Sequence, residues 1–377
     1  MKKIVVIPDS FKGTVSSIRF CEIARKVISR RLPGCETVTV PVADGGEGSV
    51  DAMLAACGGE RIGVRVTGPL GEPVDGFYGI LPDGSAIIEM AAAAGLPLAG
   101  DRKDPLTATT YGVGELMAHA VSRGAKKIVL GLGGSATNDG GCGAAAALGA
   151  VFTDESGVPF VPAGGTLERI AKIDITGLKS TLEGVAAEAM CDIDNPLFGP
   201  RGAAEVFAPQ KGAGPDEVKL LDRGLRHLAD VIRRDLGAEV SDLPGGGAAG
   251  GFGAGASAFF GARLKMGIET VLDTVGFDGL ARDADLVVTG EGRLDGQSLG
   301  GKVVVGVAKR TRALGVPLIA VVGDIADDAD RIYGTGVTAV FSINRLAIPF
   351  SEAKNRSERD LEATLDDVFR YTEAVIK

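Results

Sequence analysis

The chain has 377 residues, of which 45% are hydrophobic and 24% are charged, and its formal net charge is −9. Chains longer than about 300 residues usually divide into domains, so we expect two domains. The acidic balance disfavours nucleic acid as a partner, because binding to a phosphate backbone relies on clustered Lys and Arg. An anionic small molecule is still compatible with this charge, since a local site can be positive within an acidic protein.

The cysteines and the N-terminus indicate where the protein is located. Five scattered cysteines without a CxxC pair predict reduced thiols rather than a disulfide framework or a zinc site. The first apolar run ends at Pro8, which is too early for a signal peptide, and no segment reaches the roughly 20 apolar residues of a membrane helix. We therefore expect a cytoplasmic protein that does not bind a membrane.

Glycine is abundant and histidine is scarce, with 57 and 2 residues respectively. Both His119 and His227 fall in segments with a helical pattern, where we expect satisfied or solvated side chains. Catalysis by a Ser-His-Asp triad is therefore disfavoured. Phosphoryl transfer fits such a chain, because it depends mainly on positioning and charge neutralisation.

The predicted elements alternate between strands and helices. The N-terminal part predicts strands over 2–7 and 37–42 and helices over 18–28 and 49–57. Short alternating segments with turn residues over 61–90 predict antiparallel hairpins. The later predicted elements are a helix over 112–122, a strand over 126–132, a helix over 139–149, a strand that ends near Cys191, a strand over 284–289, a helix over 302–314, a strand over 317–322 and a final helix over 356–376.

This alternation predicts an α/β fold with parallel sheets, in which binding loops follow the carboxyl ends of the strands. The first and last parts of the chain share this style, whereas the middle differs. We therefore favour one discontinuous α/β domain over 1–75 and 285–377, with a second α/β domain over 76–284 inserted into it. A simple division into an N-terminal and a C-terminal half is the alternative.

Two loops in the first part of the chain carry polar side chains. The loop after the first strand contains Asp9, Ser10 and Lys12, and the lysine can pair with a phosphate or a carboxylate. The loop after the second strand contains Asp44 and Glu47 among three glycines. Backbone N–H groups there can face an anion, and the acids can hold Mg²⁺ or bind hydroxyls. An ordinary turn is the alternative for both loops.

The glycine-rich segment 131–141 follows a strand and precedes an alanine-rich helix. Its residues Gly133, Gly134, Ser135 and Asn138 predict a phosphate-binding loop. The same segment matches the looser dinucleotide pattern GxGxxA, and Asp154 lies about 20 residues further on, where a ribose contact is expected. A nicotinamide-dependent dehydrogenase is therefore an alternative function.

Two later segments have both a structural and a functional interpretation. Asp192 and Asp194 follow a strand two residues apart, and strand alternation would place them on one face, where they could bind a metal or accept a proton. A turn at the end of the strand is the simpler interpretation. The segment 245–255 consists mostly of glycine, which indicates either plain flexibility or a lid that covers a bound nucleotide.

The segment 290–302 contains Arg293 and Asp295 and reads GxxxxGK from Gly296 to Lys302. A P-loop requires Ser or Thr after this lysine, whereas the chain has Val303, so we do not expect a P-loop fold. Glycines and a lysine at the start of a helix still predict contacts with phosphate.

Six motifs stand in order along nearly the whole chain. They are PDSFKG at 8–13, ADGGEG at 43–48, IEMA at 88–91, GLGGSATNDG at 131–140, CDIDNPL at 191–197 and TGEGRLDGQS at 289–298. Together they resemble the bacterial type-1 glycerate kinase family. The resemblance implies a Rossmann-like domain built from both termini and an inserted flavodoxin-like domain.

The resemblance also implies a function, which is ATP-dependent phosphorylation of D-glycerate to 2-phosphoglycerate in a cleft between two domains. ATP and Mg²⁺ are the implied cofactors of this organic acid phosphorylation. A non-catalytic regulatory protein that binds a nucleotide is a further alternative. The residues leave the oligomeric state open.

The chemistry of glycerate assigns roles to the loop residues. The carboxylate of glycerate needs a cation, for which Lys12 and Arg293 are the candidates, and its reacting hydroxyl needs a proton acceptor, for which we prefer Asp192 to Asp295. The full expectation is catalysis by Asp192, Asp295 and Lys12; substrate binding by Asp9, Ser10, Asp44, Glu47 and Arg293; nucleotide binding by Gly133, Gly134, Ser135, Asn138, Gly300, Gly301 and Lys302; and metal binding by Asp192 and Asp194.

Overall fold

The computed structural model describes residues 1–43, 45–296 and 302–375. The chain divides into two compact units. Unit 1 contains Met1–Asp44, Ala55–Cys57 and Met266–Lys377, and unit 2 contains Gly45–Leu54 and Gly58–Lys265. Among the described residues, no helix is both long enough and apolar enough to cross a membrane.

The strands are β1 (Lys3–Pro8), β2 (Glu36–Thr39), β3 (Glu60–Thr67), β4 (Pro73–Ile80), β5 (Ser85–Glu89), β6 (Lys127–Gly131), β7 (Val151–Thr153), β8 (Pro159–Phe160), β9 (Lys172–Asp174), β10 (Ala186–Met190), β11 (Arg263–Lys265), β12 (Leu286–Gly290), β13 (Arg293–Leu294), β14 (Leu318–Val322), β15 (Asp324–Ile325) and β16 (Ala339–Ser342). The helices are α1 (Ser17–Arg31), α2 (Ser49–Cys57), α3 (Ala91–Ala94), α4 (Leu96–Ala99), α5 (Tyr111–Ser122), α6 (Cys142–Ala147), α7 (Thr176–Thr181), α8 (Ala203–Phe207), α9 (Pro215–Leu236), α10 (Ala248–Phe260), α11 (Gly267–Thr274), α12 (Phe277–Ala281), α13 (Val303–Leu314), α14 (Phe350–Ala353) and α15 (Ser357–Val375). Short 3-10 helices lie at Gly164–Arg169, Pro209–Lys211, Ala329–Thr335 and Lys354–Arg356.

The main sheet of unit 1 is parallel throughout, in the order β16-β14-β12-β1-β2. Strand β1 is buried from its second residue onward, because a central parallel strand is covered on both faces. This burial explains the continuous apolar run in the sequence. The register pairs Pro8 with Gly290, so the loops after β1 and β12 begin side by side at one edge of the sheet.

The main sheet of unit 2 has the order β11-β10-β6-β5-β4-β3. Strands β5, β6, β10 and β11 are parallel, whereas β3 and β4 are antiparallel, which confirms the hairpins predicted over 61–90. The register aligns Glu89, Gly131 and Met190. Three loops therefore begin at the same edge of this sheet.

The α/β fold class is confirmed, since both main sheets contain parallel strands joined through helices. The predicted boundary at residue 75 lies inside β4, which pairs with β3 from Glu60 opposite Ile80 to Thr67 opposite Pro73. Both of these strands belong to unit 2. The domain limits 1–75, 76–284 and 285–377 and the Rossmann-like and flavodoxin-like assignments stay predictions.

Two predicted elements are three residues shorter at one end than expected. The helix predicted over 139–149 begins only at Cys142, because Gly140 and Gly141 form a turn with φ of 61° and 79°, which an α-helix cannot contain. The strand predicted over 37–42 ends at Thr39. The next residues still follow β1, since Val40 N donates to Val6 O.

The glycine-rich segment 245–255 is neither a flexible loop nor an exposed lid, so both interpretations of it are wrong. Helix α10 spans Ala248–Phe260, and most of the segment is buried. Ala249, Gly250 and Gly251 have positive φ of 53°, 68° and 89°, so the regular turns of α10 follow this kink. The glycines let α10 lie against other backbone: a Cβ at Gly250 would be 2.0 Å from Thr137 O, and a Cβ at Gly255 would be 2.1 Å from Gly140 O. Close packing, rather than mobility, explains the composition of this segment.

Gly255→Ala is expected to lower the free energy of unfolding by about 3 kcal/mol, because the added methyl group would overlap the Gly140 carbonyl. Denaturant unfolding followed by circular dichroism measures the change. The control is Gly63→Ala in β3, where nothing lies within 4 Å of the added methyl group, and we expect a change below about 1 kcal/mol. Equal effects of the two substitutions would contradict this account of α10.

Candidate active site

The loops after β1 and β12 lie against each other in unit 1. Asp9 N donates to Gly290 O at 2.8 Å, and the Asp9 side chain is buried, with 8% of the residue exposed. The β1 loop closes on itself through Phe11 N, which donates to Val15 O, and leaves Lys12 exposed at its tip. The rigid base of this loop therefore positions Lys12 at the strand edge.

Gly292 joins the two loops because it has no side chain. A Cβ there would lie 3.3 Å from Phe11 Cα and 3.5 Å from Lys12 N. Beyond Gly292, Arg293 belongs to β13, its side chain is 63% exposed, and its Nε lies 3.9 Å from Asp295 Oδ2. Unit 1 thus brings the predicted residues Asp9, Lys12, Arg293 and Asp295 to neighbouring loops, and Ser10 lies in the first of these loops.

Lys302 is half-buried and lies immediately before α13, with its backbone extended at φ −66° and ψ −179°. Its carbonyl accepts a hydrogen bond from Gly306 N, as expected for the residue that begins a helix. Lys302 is therefore at a helix N-terminus, as the sequence predicts. The predicted residues Asp44, Gly300 and Gly301 lie outside the described residues.

In unit 2, Glu89 holds the segment that precedes α2. Its carboxylate accepts hydrogen bonds from Gly48 N at 3.2 Å and from Val50 N at 2.6 Å, and the residue is only 2% exposed. Burial raises the pKa of Glu89, although the two backbone donors act in the opposite direction. The exposed side chain of Glu47 lies within the segment that Glu89 fixes.

The segment 131–133 packs directly on Gly45 and Gly46. A Cβ at Gly131 would lie 2.5 Å from Gly45 O, and a Cβ at Gly133 would lie 2.5 Å from Gly46 Cα. Gly133 N donates to Gly45 O at 3.0 Å, so this amide faces the protein. The glycines at 131 and 133 therefore have a packing reason that does not depend on a phosphate. Gly134, in contrast, is exposed with φ of 75°.

Asp139 is completely buried and ties the glycine segment to two helices. Its carboxylate accepts hydrogen bonds from the amide and hydroxyl of Thr110, both at 2.8 Å, and from Gly141 N and Gly143 N at 3.1 and 3.2 Å. These donors include amides at the start of α6, so the carboxylate occupies the position that an anion would take at this helix N-terminus. Burial raises the pKa of Asp139.

Sequence reasoning missed Lys211, which lies in the 3-10 helix Pro209–Lys211. Its ammonium group is buried beneath the predicted phosphate loop and donates to Ser135 Oγ at 2.9 Å and to Thr137 O at 2.6 Å. Lys211 is more than 70 residues from that loop in sequence. In the sequence, Lys211 stands in the short segment 209–212, which matches no binding pattern. The sequence alone therefore could not have identified it.

Asp192 and Asp194 lie beyond the end of β10, in a segment without regular structure. The strand alternation that was expected to place them on one face therefore does not apply. Asp192 is half-buried, whereas the Asp194 side chain is 78% exposed and pairs with Arg201 at 2.9 Å. Both belong to unit 2, together with Glu47, Gly133, Gly134, Ser135 and Asn138.

The donor set at these two aspartates suits Mg²⁺, which prefers carboxylate oxygens and often binds only one or two of them together with phosphates. Among the described residues, there is no group of three or more His, Cys, Asp or Glu side chains arranged to hold a metal ion.

The histidines have structural partners, as predicted. His119 Nδ1 lies 2.8 Å from Tyr78 Oη, and His227 Nε2 lies 2.7 Å from Ile170 O. Asp154, the expected ribose contact of a dehydrogenase, instead lies in the turn between β7 and β8, where its carboxylate accepts hydrogen bonds from Ser156 N and Val158 N. A turn role therefore accounts for Asp154 without a nucleotide.

The parallel strands of the two main sheets, with carboxylates, cations and glycines at their carboxyl ends, define an α/β protein of the kind in which loops beyond the sheet bind small molecules. Residues 4–373 match the family described as the glycerate kinase family. The chain belongs to this family, and it is therefore a kinase. The dehydrogenase alternative is overturned by this membership.

Three relatives illustrate the similarity. The chain is 45% identical to glycerate kinase of Bacillus subtilis, over 97% of this chain and 96% of the relative. It is 44% identical to glycerate 2-kinase of Escherichia coli, over 96% of this chain and 98% of the relative. A crystal structure described as glycerate kinase 2 of Salmonella typhimurium LT2 has a TM-score of 0.90 and 42% identity, covering 100% of this chain and 99% of that one.

Glu89→Ala is expected to lower the free energy of unfolding by about 2–4 kcal/mol, because two buried backbone amides lose their acceptor. Hydrogen exchange at Val50 N should become faster than in the unaltered protein. The control is Asp51→Ala in the first turn of the same helix, where the side chain is 53% exposed and we expect a change below about 1 kcal/mol. Unchanged exchange at Val50 N would contradict the role of Glu89.

Proposed function

We propose that this protein transfers the γ-phosphoryl group of ATP to a hydroxyl of D-glycerate and forms 2-phosphoglycerate. The observation that carries the proposal is the match of the glycerate kinase family to residues 4–373. The relative named glycerate 2-kinase supports the choice of the 2-position. The cytoplasmic location expected from the sequence is part of the same proposal.

Unit 1 supplies the groups that suit a small hydroxy acid. Glycerate has one carboxylate and two hydroxyls, so its site needs a cation next to hydrogen-bonding groups. Lys12 is exposed at the end of a loop with a rigid base, and the Arg293 side chain is exposed on the adjacent loop. We assign Lys12 and Arg293 to the carboxylate and Asp9 and Ser10 to the hydroxyls. Asp44, outside the described residues, stays a prediction for substrate binding, as does Glu47.

The proton of the attacking hydroxyl needs an acceptor, because the alcohol must lose it when the new O–P bond forms. Asp192 is our first choice, since it is only half-buried at the end of β10 and can therefore meet a substrate. Asp295, in the loop that follows β12, is the second choice.

In unit 2, the loop around Gly134 and Ser135 is assigned to the nucleotide. In unit 1, Lys302 at the start of α13 keeps its predicted role in phosphate contact. Gly134 is exposed, whereas the Gly133 amide and the carboxylate of Asp139 are engaged within the protein. Among the predicted residues of this loop, Gly134 is therefore the candidate that exposure favours for phosphate contact. The neighbouring Ser135 is 5% exposed, and its hydroxyl accepts a hydrogen bond from Lys211. The predicted contacts of Asn138, Gly300, Gly301 and Lys302 with the nucleotide stay part of the proposal.

Asp192 and Asp194 would hold Mg²⁺, which neutralises charge on the phosphate oxygens when it is bound. Asp194 pairs with Arg201, so it would exchange this partner for the metal. Strand β10 ends at Met190, so it fixes the start of the segment that contains both carboxylates.

The deciding assay supplies purified protein with ATP, Mg²⁺ and either enantiomer of glycerate, and measures ADP release and the phosphorylated product. We expect ADP and 2-phosphoglycerate with D-glycerate only. Asp192→Asn should lower kcat by about a hundredfold or more, because the hydroxyl loses its proton acceptor. Asp242→Asn, at an exposed carboxylate of the same unit, is the control and should keep full activity.

Several outcomes would count against the proposal. No ADP release with D-glycerate would remove it, and ATP binding without turnover would favour the regulatory alternative. Formation of 3-phosphoglycerate would overturn the assigned position, and full activity of Asp192→Asn would exclude Asp192 as the base.

Lys12→Met is expected to raise KM for D-glycerate about tenfold or more, because the substrate carboxylate loses a charge-assisted hydrogen bond. KM for ATP should change much less, which steady-state kinetics with each substrate varied in turn can establish. Lys309→Met, at an exposed lysine of α13, is the control and should match the unaltered protein. A rise in KM for ATP alone would instead assign Lys12 to the nucleotide.

A further inference from the structure

Lys211 is a buried cation with neutral hydrogen-bond acceptors. The residue is 2% exposed, and its ammonium group donates to Ser135 Oγ and to the carbonyl oxygen of Thr137. A lysine is rarely buried in this way without an anionic partner, because removing a charge from water is costly. Desolvation lowers the pKa of Lys211 to about 7. Its charge therefore changes close to neutral pH.

One charged side chain of the described residues acts on Lys211. Asp139 is the charged group that acts on it, and this carboxylate raises the pKa of the lysine in opposition to burial. Cys142 packs in the same region, where burial raises the pKa of its thiol well above the usual value and keeps it neutral. Lys103 approaches through its backbone, since a Cβ at Gly212 would lie 2.7 Å from Lys103 O. The four donors to Asp139 already stabilise its negative charge.

The same segment contains buried polar atoms without a partner. Thr137 and Asn138 are both 0% exposed, and neither the Thr137 hydroxyl nor the Asn138 side-chain amide has a hydrogen-bond partner among the described residues. Buried polar groups are almost always paired in native proteins. The polar groups beneath this loop, next to the contacts of Lys211, are therefore not all satisfied by the described residues.

The protonation state of Lys211 determines which group donates in its hydrogen bond with Ser135. A protonated lysine can only donate, so Ser135 Oγ must accept from it, and the Ser135 hydroxyl is then left to donate elsewhere. A neutral lysine can accept instead, which would turn the Ser135 hydroxyl inward. The protonation of Lys211 thus sets which way this hydroxyl points, next to the exposed residue Gly134.

We propose that Lys211 is a positioning residue for nucleotide binding, which in its protonated form directs the Ser135 hydroxyl to donate to a phosphate oxygen of ATP or ADP. This inference rests on the proposed function, because that function supplies the nucleotide. An anion on the outer side of the loop stabilises the charge of Lys211. Nucleotide binding is therefore coupled to the uptake of a proton whenever the pH lies above the pKa of the free protein.

The test is calorimetric titration of ADP into the full-length protein at pH 6, 7 and 8, in two buffers of different ionisation enthalpy. At pH 8 the nucleotide phosphates are already deprotonated, since such groups have a pKa of about 6, so uptake there belongs to the protein. We expect uptake approaching one proton per ADP at pH 8. At pH 6 we expect no uptake by Lys211, which is charged before binding, while the roughly half of the ADP that is protonated can release its proton. The affinity of the unaltered protein should fall as the pH rises from 7 to 8.

Lys211→Met should lose both the proton uptake and the pH dependence of affinity, and its Kd for ADP at pH 7 should rise about tenfold. Lys219→Met, at a lysine of α9 whose side chain is 67% exposed, is the control and should keep the uptake and the affinity of the unaltered protein. Circular dichroism and thermal unfolding establish that each variant is folded.

The outcomes separate this inference from the proposed function. ADP binding with turnover of D-glycerate but no proton uptake at pH 8 overturns the role of Lys211 and leaves the proposed function standing. Uptake that persists in folded Lys211→Met overturns it as well. If Lys211→Met does not fold, the unaltered protein still tests the inference, because an affinity for ADP that does not fall between pH 7 and pH 8 overturns it. A protein that binds no nucleotide refutes the proposed function itself.

Discussion

Close backbone contact between Gly45–Gly46 and Gly131–Gly133 is the constraint on which the arrangement of unit 2 depends. A single Cβ at Gly131 or Gly133 would overlap the opposite segment, so the loop before α2 and the loop after β6 can meet only while these positions are glycine. The hydrogen bond from Gly133 N to Gly45 O fixes their register. Packing thus explains the glycines at 131 and 133, whereas Gly134 in the same loop is exposed.

Around this contact, buried carboxylates accept the hydrogen bonds of backbone amides that solvent does not reach. Glu89 accepts from the amides that precede and begin α2, and Asp139 does the same for α5 and α6. Each carboxylate keeps a loop in place, because leaving the amides unpaired in the interior would cost several kcal/mol. Lys211 is the positive counterpart beneath the same loop. Phosphoryl transfer depends on positioning, so loops held in this way suit the site proposed for them.

In unit 1, the loop after β1 is held mainly by backbone hydrogen bonds and by an aromatic contact. The β1 loop is closed by its own backbone and by Phe11, whose ring packs edge-on against Phe20 at 5.7 Å. Lys12 is consequently exposed on a firm support beside Gly292. The chain belongs to the glycerate kinase family, and the assays above examine the proposed contact of Lys12 with D-glycerate.

The sequence by itself determined the α/β class, most strands and helices, and the family, because hydrophobic periodicity and motifs such as PDSFKG and GLGGSATNDG are local signals. It also determined that both histidines are structural. It did not reveal that 248–260 is a buried helix, that Asp139 closes the start of α6, or that Lys211 lies beneath Ser135. Those features depend on contacts between segments far apart in sequence, and only the tertiary structure decides which backbone groups meet and which charges are buried.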